Sequence, residues 1–476
     1  IRQKAPTSVQ SLLNTEIGIR LSNDMALGET DFELMGMSGN NVKILLDGIP
    51  LIDRGATKQS LSQLDVNSIE RVEIVEGPMS VVYGTDALAG VINIITKKGD
   101  GYSEENTWRV GARVQEESMG KEYDFFKDKG LHNESIDLGF NHKSGLFVNG
   151  GYTRNNHGGW QGDLTGREKR WHPKDQALMN GMFGFQNRNM NVWYRLDFLD
   201  EKIFGPNNGS ELQPEKVSDK DFLTKRYTHQ LQSDWKLDNR LDVHAALSYQ
   251  DYKRRTRTTE SDLSTGEKWL SSAEASQDIT QYKAWIARAT VAWNIAPEFS
   301  VQPGVEYQWT QGEGGRIDGT PKVSDLAFFL SAEYKPWEWL SLRPGVRTFI
   351  VADYDAPIAI PSVLTKFKLT KHMDLRLSYA YGFRSPTLQE LYFSFHNDNH
   401  DIDGNPDLKA EYSHNITGSV AYRVLHSEKI HLTTTLSGFY NDFRDKISLA
   451  QNVDIPNYNT YYNIDRYKTV GGSLEN

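Results

Sequence analysis

Residues 42–50 read Val-Lys-Ile-Leu-Leu-Asp-Gly-Ile-Pro, residues 69–78 read Ile-Glu-Arg-Val-Glu-Ile-Val-Glu-Gly-Pro, and residues 82–98 read Val-Tyr-Gly-Thr-Asp-Ala-Leu-Ala-Gly-Val-Ile-Asn-Ile-Ile-Thr-Lys-Lys. Each segment joins a run rich in Val and Ile to a glycine turn. The turns are Asp47-Gly48, Gly77-Pro78 and Gly84. β-branched runs bounded by such turns predict short strands with tight connections. The chain therefore begins with a small globular α/β unit.

Behind this unit lies a long series of segments in which apolar and polar side chains alternate. In residues 285–295, the apolar side chains of Trp285, Val291 and Ile295 fall on one face and Arg288 and Thr290 on the other. Successive side chains of a strand point to opposite faces, so the pattern predicts amphipathic strands. Residues 108–114, 135–141, 192–198 and 376–382 show the same alternation.

Strand length separates a soluble sandwich from a membrane barrel. Soluble strands average about five or six residues, whereas a tilted strand needs about nine to eleven to cross a bilayer. Several segments here reach the longer span, and Trp and Tyr gather near their ends, as at membrane interfaces. The sequence therefore predicts a membrane β-barrel. Its long polar outer loops are expected at residues 155–174, 204–221, 254–276 and 392–408.

Composition agrees with this prediction. Hydrophobic residues make up 38% and the mean hydropathy is -0.59, which suits a barrel because half of each strand and all loops face water. There is no cysteine, so disulfides, thiolate metal sites and cysteine nucleophiles are excluded. The net charge of -10 argues against a nucleic-acid partner.

In order and spacing, the three opening segments resemble the plug domain of TonB-dependent outer-membrane transporters. The resemblance implies an all-β membrane barrel of the 22-stranded class, residues 99–476, with an N-terminal α/β plug domain, residues 1–98, inside its lumen. About sixteen candidate strands follow residue 101, so we expect C-terminal strands to be missing from this chain. The plug motif consists of Asp47, Gly48, Arg71, Glu73, Gly77, Pro78, Tyr83 and Gly84.

Two short boxes resemble the paired boxes of the haem receptors in this family. They are Phe383-Arg384-Ser385-Pro386 and Asn405-Pro406-Asp407-Leu408. In those receptors a histidine between the boxes ligates haem, which makes His396 and His400 the candidates here. A neutral imidazole nitrogen is a good ligand for haem iron. Phe393 and Phe395 offer apolar surface for a porphyrin beside His396.

The same loop contains an alternative site. Asp398, Asp401 and Asp403 supply carboxylate oxygens, which calcium prefers, and cobalamin transporters of the family use calcium to order external loops. The spacing is not that of an EF-hand, and a solvated acidic loop is the competing interpretation.

The resemblance implies active uptake of a scarce metal-containing nutrient across the bacterial outer membrane. Haem is the first expectation for the transported ligand, with cobalamin or a ferric siderophore as the alternative, and no cofactor is required. The implied partners are the TonB complex of the inner membrane, membrane lipid and a surface lipoprotein. A barrel enzyme is disfavoured because no hydrolase, zinc-helix or phosphate-loop motif is present and a plug would have no purpose. No catalytic residue is therefore predicted.

Overall fold

A computed structural model describes residues 4–16, 18–24, 29–34, 36–52, 60–77, 79–98, 105–351, 353–397, 400–426, 431–455 and 457–476. Among these residues, no helix has both the length and the apolar character needed to cross a membrane. The chain forms an N-terminal unit of small sheets and a much larger set of long strands. The predicted boundary at residue 98 meets the stretch 99–104, which lies outside the described residues.

The N-terminal unit contains two sheets and two short helices. One sheet has the order β1-β2-β3, and the other, β5-β4-β7-β6, is mixed because β4 pairs with β7 in parallel. Its apolar core is built from side chains such as Val42, Ile44, Leu88, Ile92 and Ile94. The elements are α1 (Val9–Leu13), β1 (Ile19–Asp24), β2 (Glu29–Leu34), β3 (Met37–Ser38), β4 (Val42–Leu46), β5 (Ile49–Pro50), β6 (Ile69–Glu76), α2 (Ser80–Tyr83) and β7 (Gly90–Thr96), with 3-10 turns at Gly39–Asn41, Ser60–Gln63 and Val66–Ser68.

The rest of the described chain forms a barrel in which each long strand pairs antiparallel with the next. Short turns connect the strands at one end and long loops at the other, which orients the barrel with its loops outside. The strands are β8 (Thr107–Glu117), β9 (Leu131–Asn141), β10 (Leu146–His157), β11 (Lys174–Gln186), β12 (Met190–Gly205), β13 (Lys216–Lys236), β14 (Leu241–Asp262), β15 (Lys268–Leu270), β16 (Ile279–Ala296), β17 (Phe299–Gly314), β18 (Lys322–Trp337), β19 (Leu340–Val351), β20 (Ala359–Lys368), β21 (Met373–Arg384), β22 (Ser394–Asn397), β23 (His400–Asp403), β24 (Glu411–His426), β25 (His431–Gln451) and β26 (Tyr458–Glu475), with α3 (Leu388–Tyr392) before β22.

Strand β16 confirms the predicted faces. Trp285 is 44% exposed on the outer wall, whereas the next residue, Ile286, is fully buried on the lumen side. Trp285 pairs with Tyr249 and Trp309 on the neighbouring strands, and Trp293 lies eight residues nearer the short turns. These aromatic levels are separated by roughly 20 Å at the usual strand tilt, close to the apolar band of a membrane barrel.

The N-terminal unit lies inside the barrel, as predicted, because side chains of β13, β14 and β16 and the backbone of Ser385 bind it from the lumen wall. Three of the expected outer loops differ from the prediction by more than a few residues, and residues 216–221 of the loop expected at 204–221 belong to β13. Strand β14 continues to Asp262, so residues 254–262 are strand, because they pair with β13 along their whole length. The loop at 392–408 contains the hairpin β22–β23.

Candidate functional site

The first box joins the barrel to the plug. The backbone N–H of Ser385 donates to Thr85 Oγ1 at 2.8 Å, and the N–H of Asp86 donates to the carbonyl of Phe383 at 3.2 Å. Phe383 itself is fully buried and meets Phe349 edge-on. This box therefore holds the plug turn that follows α2 against the outer end of β21.

Arg384 is the most tightly held residue of the box. Its guanidinium donates to both carboxylate oxygens of Glu390 at 2.9 and 3.0 Å and to both of Glu411 at 2.9 and 3.1 Å. All three side chains are buried, and Glu390 also completes the N-terminal capping box of α3 with Thr387. The arrangement fixes the short helix α3 to the ends of two strands, a structural role.

The second box is also structural. The N–H of Asn405 donates to the carbonyl of Glu390 at 2.9 Å, and its side-chain amide donates to the carbonyl of Tyr461 at 2.9 Å. Leu408 is buried against Leu391 and Ile447. The N–H of Asp407 donates to the side-chain oxygen of Asn405, and this bond closes the turn that contains Pro406. The two boxes thus bracket the loop that contains His396.

His396 stands on the hairpin β22–β23 with half of its side chain exposed. Its Nδ1 lies 2.6 Å from Asp401 Oδ1 and its Nε2 lies 3.1 Å from Asp403 Oδ1. The hydrogen bond to Asp401, together with the charge of Asp403, raises the pKa of His396 above its ordinary value. Both nitrogens are engaged, so ligation of a haem iron would require one of them to be released and deprotonated.

The remaining loop candidates are less well placed for a metal. His400 pairs with Asn397 across the hairpin, and Asp398 lies outside the described residues. Asp401 and Asp403 are turned toward His396. Within the described ranges no group of three or more His, Asp or Glu side chains could hold a metal ion. The calcium site therefore stays a prediction.

The plug motif proves to consist mainly of turns and their supports. Asp47 and Gly48 both have positive φ, 51° and 82°, as a two-residue hairpin requires. The Asp47 carboxylate accepts from the N–H of Thr96 at 3.0 Å and from its hydroxyl at 2.7 Å. Gly84 has φ 81°, a backbone conformation that favours glycine, and a Cβ there would lie 3.0 Å from Arg347 Nη2. Gly77 is a further turn at φ 91°, and Pro78 lies outside the described residues.

Among the described residues, Arg71 and Glu73 bind each other and the plug rather than the barrel wall. The Arg71 Nε donates to Glu73 Oε1 at 2.9 Å, and Glu73 accepts from Asn93 at 3.1 Å, so these described bonds stay within the plug. Both side chains are about half exposed. Their spacing on alternate residues of β6 places them on the same face, where they pair with each other.

A different group of barrel side chains binds the plug from one side. Gln232 donates to the carbonyl of Asp47 at 2.9 Å, and Gln250 donates to the carbonyl of Pro50 at 2.7 Å and accepts from the N–H of Ile52 at 3.0 Å. These glutamines lie on β13 and β14 and are almost fully buried. Two more amides reach plug carbonyls in the same manner, those of Gln176 and Gln230. We call these four residues the glutamine face.

The adjoining part of the barrel wall, from β16 to β19, holds a closed set of buried charges. Arg288 Nη1 lies 2.7 Å from Glu306 Oε2, Arg347 Nη2 lies 2.6 Å from Glu306 Oε1, and Arg288 Nη2 donates to the carbonyl of Val82 at 2.7 Å. Both guanidinium groups also lie over the ring of Phe329. The Phe329 ring fits because residue 304 is a glycine; a Cβ at that position would lie only 2.2 Å from the ring. We call Arg288, Glu306 and Arg347 the charged clamp.

A cavity of about 1640 Å³ lies beyond the clamp at the short-turn end of β17–β26. Glu76 of the plug lines it, opposite small and hydroxyl residues of the barrel wall such as Thr417, Ser437 and Gly472. Such a polar lining accepts water. Toward the short turns, this cavity therefore separates the plug from the wall of β18–β26, while further up Phe443 of β25 packs in the plug core.

At the outer end, the plug tip approaches a mixed aromatic and charged surface. Ile52 packs with Tyr252, Tyr282 and Leu388. Nearby, the Arg316 guanidinium lies 4.2 Å from the centre of the Phe395 ring and its Nε donates to Asp278 Oδ2 at 2.8 Å. We call this surface the vestibule. Sequence reasoning found Phe395 but missed Arg316, because no local pattern links the loop at 315–321 to the loop at 392–408.

Comparisons with known proteins agree with this architecture. Residues 1–91 match the TonB-dependent Receptor Plug Domain model, and residues 302–476 match the model of the TonB dependent receptor-like beta-barrel. The chain belongs to the TonB-dependent receptors. This family consists of outer-membrane receptors rather than enzymes.

Individual relatives carry names connected with iron. The chain is 26% identical over 450 residues to the iron-regulated outer membrane virulence protein of Vibrio cholerae, covering 88% of this chain and 61% of that relative. It is 33% identical to the ferrienterobactin receptor of Escherichia coli over 107 residues, 20% of this chain and 14% of the other. The fold is similar to the siderophore receptor PirA of Pseudomonas aeruginosa, with a TM-score of 0.74 and 15% identity, covering 100% of this chain and 79% of that one. The chain thus spans about three fifths of the first relative's length.

Proposed function

We propose that this TonB-dependent receptor takes up a ferric siderophore across the outer membrane. The observation that carries the proposal is the vestibule, where Arg316 lies over Phe395 directly above a lumen occupied by the plug. A ferric chelate with anionic oxygen ligands is attracted by a cation, and its organic arms can pack on aromatic rings. The resemblance to an iron-regulated receptor and to a ferrienterobactin receptor supports the same cargo class.

Haem, the first expectation from the boxes, has less support. The boxes bind the plug and α3, and the His396 ring is held between two carboxylates that favour its protonated form. An imidazolium has no lone pair to offer to iron. The relatives named above do not identify haem. Haem ligation by this loop is therefore kept as a competing outcome of the experiment.

The blocked lumen implies an external energy source. The outer membrane lies away from nucleotide pools, and the family's name refers to the TonB protein, so we propose the inner-membrane TonB complex as the partner that displaces the plug. A surface lipoprotein that delivers the ligand stays a prediction from the resemblance.

Growth and binding measurements test the cargo. We expect a gene deletion to abolish growth on a ferric siderophore as sole iron source and to leave growth on haem and use of cobalamin unchanged. Purified receptor should bind a ferric triscatecholate chelate, measured by tryptophan fluorescence quenching. Arg316→Gln should weaken this binding at least tenfold.

The matched control is Arg343→Gln, which removes an exposed cation at the short-turn end of β19 and should leave binding unchanged. A haem titration with a Soret shift that disappears in His396→Ala, together with no binding of ferric chelates, would overturn the siderophore proposal in favour of haem.

A further inference from the structure

The outer wall of the barrel carries a basic patch above its upper aromatic level. On β12–β14 the outward-facing positions beyond Phe198, Tyr227 and Tyr249 hold more bases than acids. The bases are Lys202, Lys225, Lys253, Arg255 and Arg257, and the acids are Asp200, Asp219, Asp221 and Asp251, of which Asp219 pairs with Arg167 of a loop. This surplus stands out in a chain whose net charge is -10.

The acids of the patch are already engaged. Asp221 is shared by Lys202 at 3.1 Å and by Arg257 at 2.5 Å, and Asp200 lies 3.5 Å from Lys225. Asp251 accepts from the side chain of Gln281 at 2.6 Å. Because Gln281 is neutral, Asp251 keeps its charge, but within the described part of the chain neither Lys253 nor Arg255 forms an ion pair with an acid of the patch.

The strand register makes this surplus of positive charge destabilising. Lys253 pairs directly with Lys225 across β13 and β14, and like charges at opposed positions of an antiparallel pair destabilise the sheet. Both lysines are exposed. The Nε of Arg255, two residues further along the same face, is buried and has no hydrogen-bond partner among the described residues. An anion placed between these side chains would remove the repulsion.

The position of Lys253 along the membrane normal indicates which kind of anion would bind here. Lys253 lies four residues beyond Tyr249, which raises it roughly 10 Å above the aromatic level at the usual strand tilt. Aromatic girdles mark the edge of the apolar band, so this position meets the headgroups of the outer leaflet. Basic clusters at that depth attract anionic lipid headgroups.

We propose that Lys225, Lys253 and Arg255 form a binding site for the phosphate groups of an outer-leaflet glycolipid. The lysine ammonium groups act as charges on the phosphate and the Arg255 guanidinium donates hydrogen bonds to its oxygens. The site lies on the membrane-facing wall, on the side of the glutamine face, and is separate from the vestibule.

Lipid binding to purified receptor in a neutral detergent tests the site. Bisphosphorylated lipid A is titrated against the wild type and against Lys225→Gln/Lys253→Gln, with native mass spectrometry as the readout. We expect at least tenfold weaker binding by the variant, and equally weak binding of dephosphorylated lipid A by the wild type. Equal binding of lipid A by both proteins, or of both lipids by the wild type, would overturn the proposal.

The matched control removes two lysines at the other membrane face, Lys236→Gln/Lys371→Gln, and should bind lipid A as the wild type does. Thermal unfolding gives a second readout. Without lipid, the patch variant should melt at the same or a higher temperature, because a repulsion is removed. With lipid A, only the wild type and the control should gain stability. A lower melting temperature of the patch variant without lipid would show that the protein itself satisfies the lysines, and would contradict the site.

Discussion

The glutamine face and the charged clamp hold the same plug by different means. On β11–β14, neutral amides bind backbone atoms of the plug, such as the Asp47 and Pro50 carbonyls, together with Arg226, which donates to the Gln63 carbonyl at 2.8 Å. On β16–β19, two arginines share one glutamate, and Arg288 donates to a plug atom, the Val82 carbonyl. Beyond the clamp the contact gives way to the large cavity.

The difference indicates how the plug can move. Amide bonds to a backbone are individually modest and can re-form with water or another carbonyl. The clamp is a closed set of buried charges, so loss of one member leaves an uncompensated charge. We therefore expect the cavity side to open first, with the glutamine face as the hinge and the clamp as the element that resists.

Removal of the shared glutamate should have the largest effect. Glu306→Ala leaves Arg288 and Arg347 buried without a counter-charge and should lower the free energy of plug opening by about 3 to 5 kcal/mol. Amide hydrogen exchange of β7 measures this quantity. The control is Glu333→Ala, whose partners Arg343 and Lys335 are exposed, with an expected loss below about 1 kcal/mol. Equal losses would remove the distinction between clamp and surface.

The second prediction tests which face of the wall is the lumen. Val291→Arg puts a charge between the aromatic levels at Trp285 and Trp293 and should cost about 2 to 4 kcal/mol in folding into lipid vesicles. Ser437→Arg points into the large cavity and should cost much less. Equal effects on folding would contradict the assigned outer and lumen faces of the barrel wall.

A smaller loss is expected on the glutamine face. Gln250→Ala leaves the Pro50 carbonyl and the Ile52 N–H without their partner, which should cost about 1 to 3 kcal/mol. The loss should appear in exchange of the amides near β5 and not in those of β6. Unchanged exchange would mean that water replaces the amide fully, and that this face does not anchor the plug.

The smallest effect is expected at the hairpin β22–β23, which belongs to neither the glutamine face nor the charged clamp. The carboxylates of Asp401 and Asp403 raise the pKa of His396, so the folded hairpin binds a proton more tightly than the unfolded one. Its stabilisation should be complete below about pH 6.5 and be lost as the pH rises through the raised value. Amide hydrogen exchange of the hairpin, measured as a function of pH, should show this loss of stabilisation. His396→Gln should abolish the pH dependence. Protection that grows with pH would contradict it.

The sequence determined the parts of this protein that depend on local periodicity. Alternation in β16 gave the outer and lumen faces correctly, and Asp47-Gly48 gave its hairpin, because a strand's period and a turn's positive φ are properties of neighbouring residues. The plug inside a barrel followed from the order of motifs.

Tertiary structure alone decided what the motif residues do. Arg384 binds Glu390 and Glu411, Arg71 pairs within the plug, and His396, the candidate haem ligand, is held by two aspartates. The glutamine face, the charged clamp and the Lys225–Lys253 pair join residues on different strands or in different domains. Their meeting depends on strand register and on how the plug is seated, which no local pattern encodes.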